Sequence, residues 1–399
     1  MSETHGNRFV LQRVQQRGIA QVELWYQIAG GARSVVHVAA SELESIFEDG
    51  LVLDHTVNAA GGPLVLVPDA ATFVGVAHEP ARAGEEGGPG RLICDLQRLD
   101  GAPHPLCVRT VLKKALARAA QGGDRFYLGA RIAQRWIGPQ PLAGGIATRF
   151  AGGPALSQAL SQRLGRRMER DGSALRSWAL VSGLEHWYFE YNWVDPLTLC
   201  DTLATHRVVA RLVARDAGHE VTFMRRPWRD AAPSQLDLFL SRDERGGQSW
   251  GDPLDAEGLS LEARALSSRL SAGEGPFSLV FRHGVHGRKA QDPISVSALA
   301  EGRGLDGAAL RIGGLDAAAD PYLAAALLMH LALGDNQPAP TPSVGTRDPA
   351  RVLAPASDRA LDDALGTALA ATLRHQAAAR LEAYWDELTA HELDDELLA

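Results

Sequence analysis

Arg91-Leu-Ile-Cys-Asp-Leu-Gln97, then Asp100-Gly101, then Val111-Leu-Lys-Lys-Ala-Leu-Ala-Arg-Ala119 is the stretch on which the reading of this chain turns. Arg91 to Gln97 reads as a strand, and Asp-Gly is a turn signal. The helix that follows opens near Arg109 and runs to Gln121, with Leu112, Ala115, Leu116 and Ala119 on one apolar stripe. Composition changes here. Upstream lie short strands and a helix; downstream, alanine-rich helices alternate with strands. The 399 residues suit two cores better than one. The expected division is a domain over 1–104 and a second over 105–399.

Upstream, Val10 to Gly18 predicts a short helix. Gln21 to Ile28 predicts a half-buried strand, with Val22, Leu24, Tyr26 and Ile28 on one face. Gly30-Gly31 turns the chain, and Ser34 to Val38 pairs back as a hairpin. Ser41 and Glu44 have the spacing of a capping box for a helix that stops at Gly50. Strands are expected at Leu64 to Val67 and Thr72 to Val76, then a loop over Arg82 to Gly90.

Downstream, strands are expected at Phe126–Ile137, Ser177–Ser182, Trp187–Trp193, Val221–Phe223, Leu236–Leu240 and Ser278–Arg282. Helices are expected over Asp201–Ala217, Pro321–Leu333 and Leu361 to the C-terminus. Asp320 caps the second of these and Pro321 fills its first turn. Gln337 to Pro355 reads as an extended connection.

The bulk numbers narrow the function. With 45% hydrophobic and 22% charged residues the chain is an ordinary folded protein, not a disordered one. A net charge of -8 argues against nucleic acid or an anionic membrane as partner. Cys94, Cys107 and Cys200 are sparse and odd in number, which predicts buried free thiols in a reducing cytoplasm. Met1 to Phe9 has no apolar core of a secretion signal. The apolar run Tyr322–Leu333 is too short to span a bilayer. There is no phosphate loop, no zinc-binding H-E-x-x-H helix and no G-x-S-x-G elbow. His283 to Lys289 and Gly84 to Gly90 are weighed as solvated loops rather than as ligand sites.

Segments spread in order over nearly the whole chain resemble the glutamine synthetase family. Arg91 to Ala119 is similar to the junction between that family's two domains. Leu64 to Phe73, with Pro68-Asp69 and Thr72-Phe73, is similar to the strand pair of its N-terminal β-grasp domain. Asp195-Pro-Leu-Thr-Leu-Cys-Asp201 and Val221-Thr-Phe-Met-Arg-Arg-Pro227 resemble its central catalytic stretch. Asp316-Ala-Ala-Ala-Asp-Pro-Tyr-Leu-Ala-Ala-Ala326 resembles its late helix, and Arg380 to Leu388 with Glu392-Leu393 its C-terminal helix. The resemblance implies an α+β fold: a β-grasp domain followed by a catalytic-type domain with an antiparallel sheet and helices.

It also implies a ligase that uses paired Mg²⁺ or Mn²⁺ ions and ATP. Such ions need oxygen ligands, and the moving phosphoryl group needs its charge neutralised. Yet the positions that supply those ligands are altered. Where the family's glutamate-x-glutamate strand is expected stand Arg131 and Ala133. Counting back from Asp195 puts Val181 and Tyr188 where two further glutamates belong, with Glu185 and Glu190 close by. Asp237 takes the place of a metal-binding histidine. Arg311 takes the place of the last glutamate, and Gly313 that of a following arginine. Gly246 to Gly307 is too short to hold the family's long arginine-bearing segment. Arg131 and Arg311 would repel a cation and pair with anions, or with Glu190 or Asp237. Asp54 matches the family's aspartate that leans into a neighbouring subunit's site; capping a loop start is the plain alternative.

The departures imply no glutamine synthetase activity and leave three readings, in order of preference. The first is a non-catalytic subunit or regulator that assembles with itself or an active paralogue and needs no cofactor. The second is an ATP-dependent γ-glutamyl-amine ligase, a carbon–nitrogen ligase with a rebuilt site, which would need Mg or Mn. The third is a sensor of a small anion or metabolite. Candidate binding positions are Asp54, Arg131, Glu190, Asp237 and Arg311.

Overall fold

The structure is a computed structural model and describes residues 3–31, 33–54, 62–75, 89–138, 154–181, 186–227, 231–243, 250, 252, 254–255, 258–272, 274–282, 294–299, 309–334 and 359–386. Helix α1 (Glu3–Gln16) leads into β1 (Gln21–Gln27) and β2 (Arg33–Ala39); α2 (Leu43–Asp49), β3 (Leu51–Leu53), β4 (Leu64–Val74) and β5 (Gly90–Gln97) follow. These strands form one sheet in the order β2-β1-β5-β4-β3, with β1 parallel to β5. Val10, Val14, Leu24, Leu43, Leu66, Leu92 and Leu96 make its core.

After α3 (Val108–Gly122) a second sheet begins with β6 (Arg125–Ile137). Its other members are β7 (Leu175–Val181), β8 (His186–Val194), β9 (Glu220–Thr222), β10 (Gln235–Asp243), β11 (Ser295–Ala298) and β12 (Leu310–Asp316). They lie in the order β11-β12-β10-β6-β8-β7, β9 pairing with the end of β6, and every pairing is antiparallel. The remaining helices are α4 (Pro154–Arg170), α5 (Pro196–Asp216), α6 (Leu261–Ala272), α7 (Glu274–Phe281), α8 (Pro321–Ala332), α9 (Arg359–Leu365) and α10 (Thr367–Asp386). Helices α3 and α5 pack on β6, and α8 packs behind them. The chain is therefore α+β.

Two helix starts follow from their sequence. Asp195 accepts from the backbone N–H groups of Leu197 and Thr198, and Asp320 from those of Tyr322 and Leu323; a proline follows each cap. Charge then ties the two sheets together. Arg109, at the start of α3, donates to Asp95 of β5 at 2.9 Å, to Asp69 of β4 at 2.7 Å and to Asp201 of α5 at 3.0 Å. Tyr322 donates to the same Asp201 at 2.6 Å. Burial works against Asp69's charge, but Arg109 wins and holds its carboxyl below the ordinary value. At the other end of the chain, Gln376 and Arg380 of α10 donate to the carbonyls of Ala29 and Gly30. Gly30 sits at φ +72°, and a β-carbon there would overlap the Gln376 side chain.

Several expectations need correction. Ser278–Arg282 lies within and just after helix α7; Phe277 and Phe281, one turn apart, meet edge to face at 6.3 Å, a contact that helical spacing makes possible. The capping box does not form. A 3₁₀ turn over Ala40–Glu42 precedes α2, and Ser45 instead donates to the Glu42 carbonyl. The first helix begins well before Val10. β1 is buried on both faces, because Trp25 is covered by Arg33 and Arg91 at 5.1 and 5.0 Å. Leu64–Val67 and Thr72–Val76 are one strand up to Val74, irregular between Asp69 and Val74, where Thr72 Oγ1 accepts from the Ile93 N–H. The C-terminal helix is broken at Gly366, φ +86°. Most of Arg82–Gly90, His283–Lys289 and Gln337–Pro355 lie outside the described residues.

Candidate functional site on the central sheet

Strand alternation decides which β6 side chains can act together. Ala130, Ile132 and Trp136 point into the core beneath α3 and α5. Arg131, Ala133 and Arg135 therefore share the other face. The strand register sets their neighbours. Arg131 lies opposite Asp237 of β10 on one side and opposite Glu190 of β8 on the other. Ala133 lies opposite Tyr188, and Val181, at the end of β7, opposite His186. Between Leu236 and Leu238 the pairing with β12 slips, so Asp237 faces a bulge at Gly313 and Gly314.

The register thus gathers Arg131, Ala133, Tyr188, Glu190, Asp237 and Arg311 onto one face of adjoining strands, with Val181 near one end. Asp54 is apart from them. It follows β3, the edge strand of the other sheet, and is exposed.

Arg131 Nη2 is 2.6 Å and Nε 3.1 Å from Glu190 Oε2. Its guanidinium also lies over the Tyr188 ring at 4.8 Å. Arg311 Nη2 is 2.8 Å and Nε 3.1 Å from Asp237 Oδ2. Arg176 reaches Glu190 Oε1 at 3.5 Å. The result is a row of alternating charge across the sheet: Arg311, Asp237, Arg131, Glu190, Arg176. The carboxylates are buried, each side chain 7% exposed, while those of Arg311 and Arg131 are 43% and 31% exposed. Three guanidiniums against two carboxylates leave one positive charge, and the cations form the outer surface.

A pair of divalent cations does not fit these donors. Each such ion surrounds itself with about six oxygens. Ala133 and Val181 have no ligating atom, Tyr188 is covered by a guanidinium, and Arg131 and Arg311 are themselves cations. Only Asp237 and Glu190 could ligate, and each already accepts two bonds from an arginine. Asp237 Oδ1 is buried with no hydrogen-bond partner, close to where a Gly313 β-carbon would stand. Among the described residues no group of three or more His, Cys, Asp or Glu is arranged to hold a metal. Glu185 lies outside them.

Two buried arginine sets border this face and were missed from sequence. Arg135 is 1% exposed, donates to Ser234 Oγ and the Ala232 carbonyl, and lies 3.3 Å from His186 Nδ1. Arg225 and Arg282 both donate to the Gly314 carbonyl and flank Asp316 at 3.2 and 3.5 Å. Arg135, inside an otherwise largely apolar strand, was the signal for the first; Arg225 and Arg282 lie just past β9 and α7, where no local pattern marked them. Below the sheet, His206 is fully buried, hydrogen-bonded to Tyr191 at 2.7 Å and Gln134 at 2.8 Å. Burial, with Arg207 beside it, pushes its pKa down to about 3, so it is a neutral core histidine.

No family model matches the chain. A glutamine synthetase from Mycolicibacterium smegmatis is 24% identical over 356 residues, 82% of this chain and 79% of that protein. One from Halobacterium salinarum is 28% identical over 284 residues, 65% of this chain and 60% of that one. The solved GmaS–ADP complex matches with a TM-score of 0.77, covering 98% of this chain and 99% of that one at 18% identity. The chain is thus similar in sequence to glutamine synthetases and shares the fold of GmaS. Ligand-free GmaS has the same fold, with a TM-score of 0.78 at 19% identity and 96% and 97% coverage. No helix among the described residues is long and apolar enough to cross a membrane.

Proposed function

We propose that this glutamine synthetase-like chain is a non-catalytic subunit or regulator, assembling with itself or with an active paralogue. One observation supports the reading: Arg131, Asp237 and Arg311 stand where the family resemblance calls for metal ligands, and the two arginines are paired with Glu190 and Asp237. Guanidiniums there supply the charge that cations would otherwise bring, but fixed in place and already neutralised by carboxylates. Such a face cannot polarise a phosphoryl group as a pair of metal ions does.

A second reading is favoured by the likeness to the GmaS–ADP complex along nearly the whole chain. It is an ATP-dependent ligase joining an amine to a carboxylate, with a site rebuilt around Arg131, Glu190, Asp237 and Arg311. The two readings separate in an assay of ADP release with ATP, Mg²⁺ or Mn²⁺, glutamate and a panel of amines, run beside co-expression with an active glutamine synthetase. Co-purification in one particle with no turnover by this chain alone supports the regulator. Turnover lost on Glu190→Gln or Asp237→Asn supports the ligase.

A further inference from the structure

Away from the central sheet, a cavity of about 420 Å³ lies between the turn that leads into α3, α3 itself, the end of α8 and the joint between α9 and α10. Small-molecule sites run from about 300 to 1,000 Å³. Much of its wall is apolar, with Val111, Ala115, Leu333, Leu365 and Leu369 among the lining residues.

The polar side chains of the lining favour an anion. Lys114 and Arg118 stand one turn apart on α3, and both are exposed. Among the described residues no carboxylate lies within ion-pair distance of Lys114. Arg118 Nη1 donates to His330 Nδ1 at 3.3 Å, which holds the guanidinium beside α8. An imidazole that accepts from a guanidinium in this way is neutral. His104 Nδ1 accepts from the Leu106 N–H at 3.2 Å; burial, with Arg98 nearby, lowers its pKa, so it too is neutral at pH 7. Asp363 is the one acid in the lining. Two cations against one carboxylate leave one positive charge, the balance that a monoanion meets.

The start of α10 adds donors to the charge that the α3 side chains set. The Gly366 carbonyl accepts from the Ala370 N–H at 3.1 Å, so this glycine caps the helix, and it has no side chain to take up the N–H groups of the first turn. Thr367, Ala368 and Leu369 bring that turn to the cavity wall. Apolar walls around one net positive charge suit a carboxylate on an apolar body. A phosphate ester, with close to two negative charges at pH 7, would bring more charge than the lining answers.

We propose that this cavity binds a small apolar carboxylic acid in its anionic form, the carboxylate held by Lys114 and Arg118 and the body lying against Val111, Leu333 and Leu369. A bound acid would brace α3, α8 and the α9–α10 joint against one another. None of these residues belongs to the central sheet, so the site stands or falls apart from the function proposed above.

The test is calorimetric titration of the full chain with benzoate, phenylacetate and isovalerate, beside acetate, benzyl alcohol, benzylamine and phenyl phosphate. At least one of the first three is expected to bind. Each of the other four is expected to be at least about tenfold weaker, acetate for want of a body and the rest for the wrong charge. Lys114→Gln is expected to weaken binding at least about tenfold, and Lys114→Gln with Arg118→Gln to abolish it. Both side chains are exposed, so these variants keep the fold. Arg311→Gln, on the central sheet, is expected to leave binding unchanged. No binding by any of the three acids overturns the proposal. So does equal binding of acetate, benzyl alcohol, benzylamine or phenyl phosphate, binding unchanged in the double variant, or binding lost in Arg311→Gln.

Discussion

Arg131 and Glu190 lie directly opposite one another on β6 and β8, and the arginine closes on the acid with Nη2 2.6 Å and Nε 3.1 Å from a single oxygen, Oε2. The acid is buried and the arginine is the half-exposed partner. Removing the arginine therefore leaves a buried charge with only the longer contact to Arg176 among its ion pairs given above, while removing both takes the buried charge away. Arg131→Ala is expected to destabilise the fold by about 1–3 kcal/mol, discounted for the arginine's exposure. Adding Glu190→Ala to it should cost less than the sum of the two single changes. Urea unfolding of the four proteins in that cycle measures both statements.

Arg109 should matter more. Its side chain is 4% exposed and answers three aspartates, two on strands of the first sheet and one on helix α5. Arg109→Ala is expected to cost about 3 kcal/mol, because it leaves the partly buried Asp201 without its cation and Asp69 and Asp95 with Lys113 alone. A denaturant midpoint little changed from wild type would contradict the role given to it as the clasp between the sheets.

His206 makes stability depend on acid. Its folded pKa of about 3 lies below the ordinary 6.5. Between those values the unfolded chain takes up a proton that the folded chain refuses, so stability falls as pH drops through that window. The loss is on the order of a few kcal/mol by pH 3. His206→Gln should flatten this limb of a stability-against-pH curve, at some loss of stability near pH 7 from the altered bonds to Tyr191 and Gln134.

The thiols should be silent. Cys94, Cys107 and Cys200 are buried, and burial raises each pKa above its ordinary value. A thiol reagent such as Ellman's is expected to titrate none in the native protein within minutes and all three in denaturant. Rapid native reaction would mean that the core around one of them opens.

Much of this was legible in the sequence, and the parts that were not have definite causes. The junction strand and helix, the Asp320-Pro321 helix start and the alternation of β6 are local patterns, and local patterns carry over. Helix α4 was missed although Leu160, Leu164 and Met168 recur at helical spacing. Within it the Trp178 ring comes close to Gly165, at a point where a β-carbon would stand 2.9 Å from it. Arg131 and Arg311 were visible as residue types. Which carboxylate each arginine takes was not, because that follows from β8 and β10 flanking β6, a relation between strands far apart in the chain. The meeting of Arg91 with Thr205 across 114 positions is of the same distant kind.

The central claim is that paired arginines and carboxylates have taken the place of a two-metal site. Isothermal titration of ATP into the purified chain, with and without Mg²⁺ or Mn²⁺, tests it most directly. The account predicts no binding that depends on the metal. Tight, metal-dependent ATP binding would contradict it and favour the ligase reading.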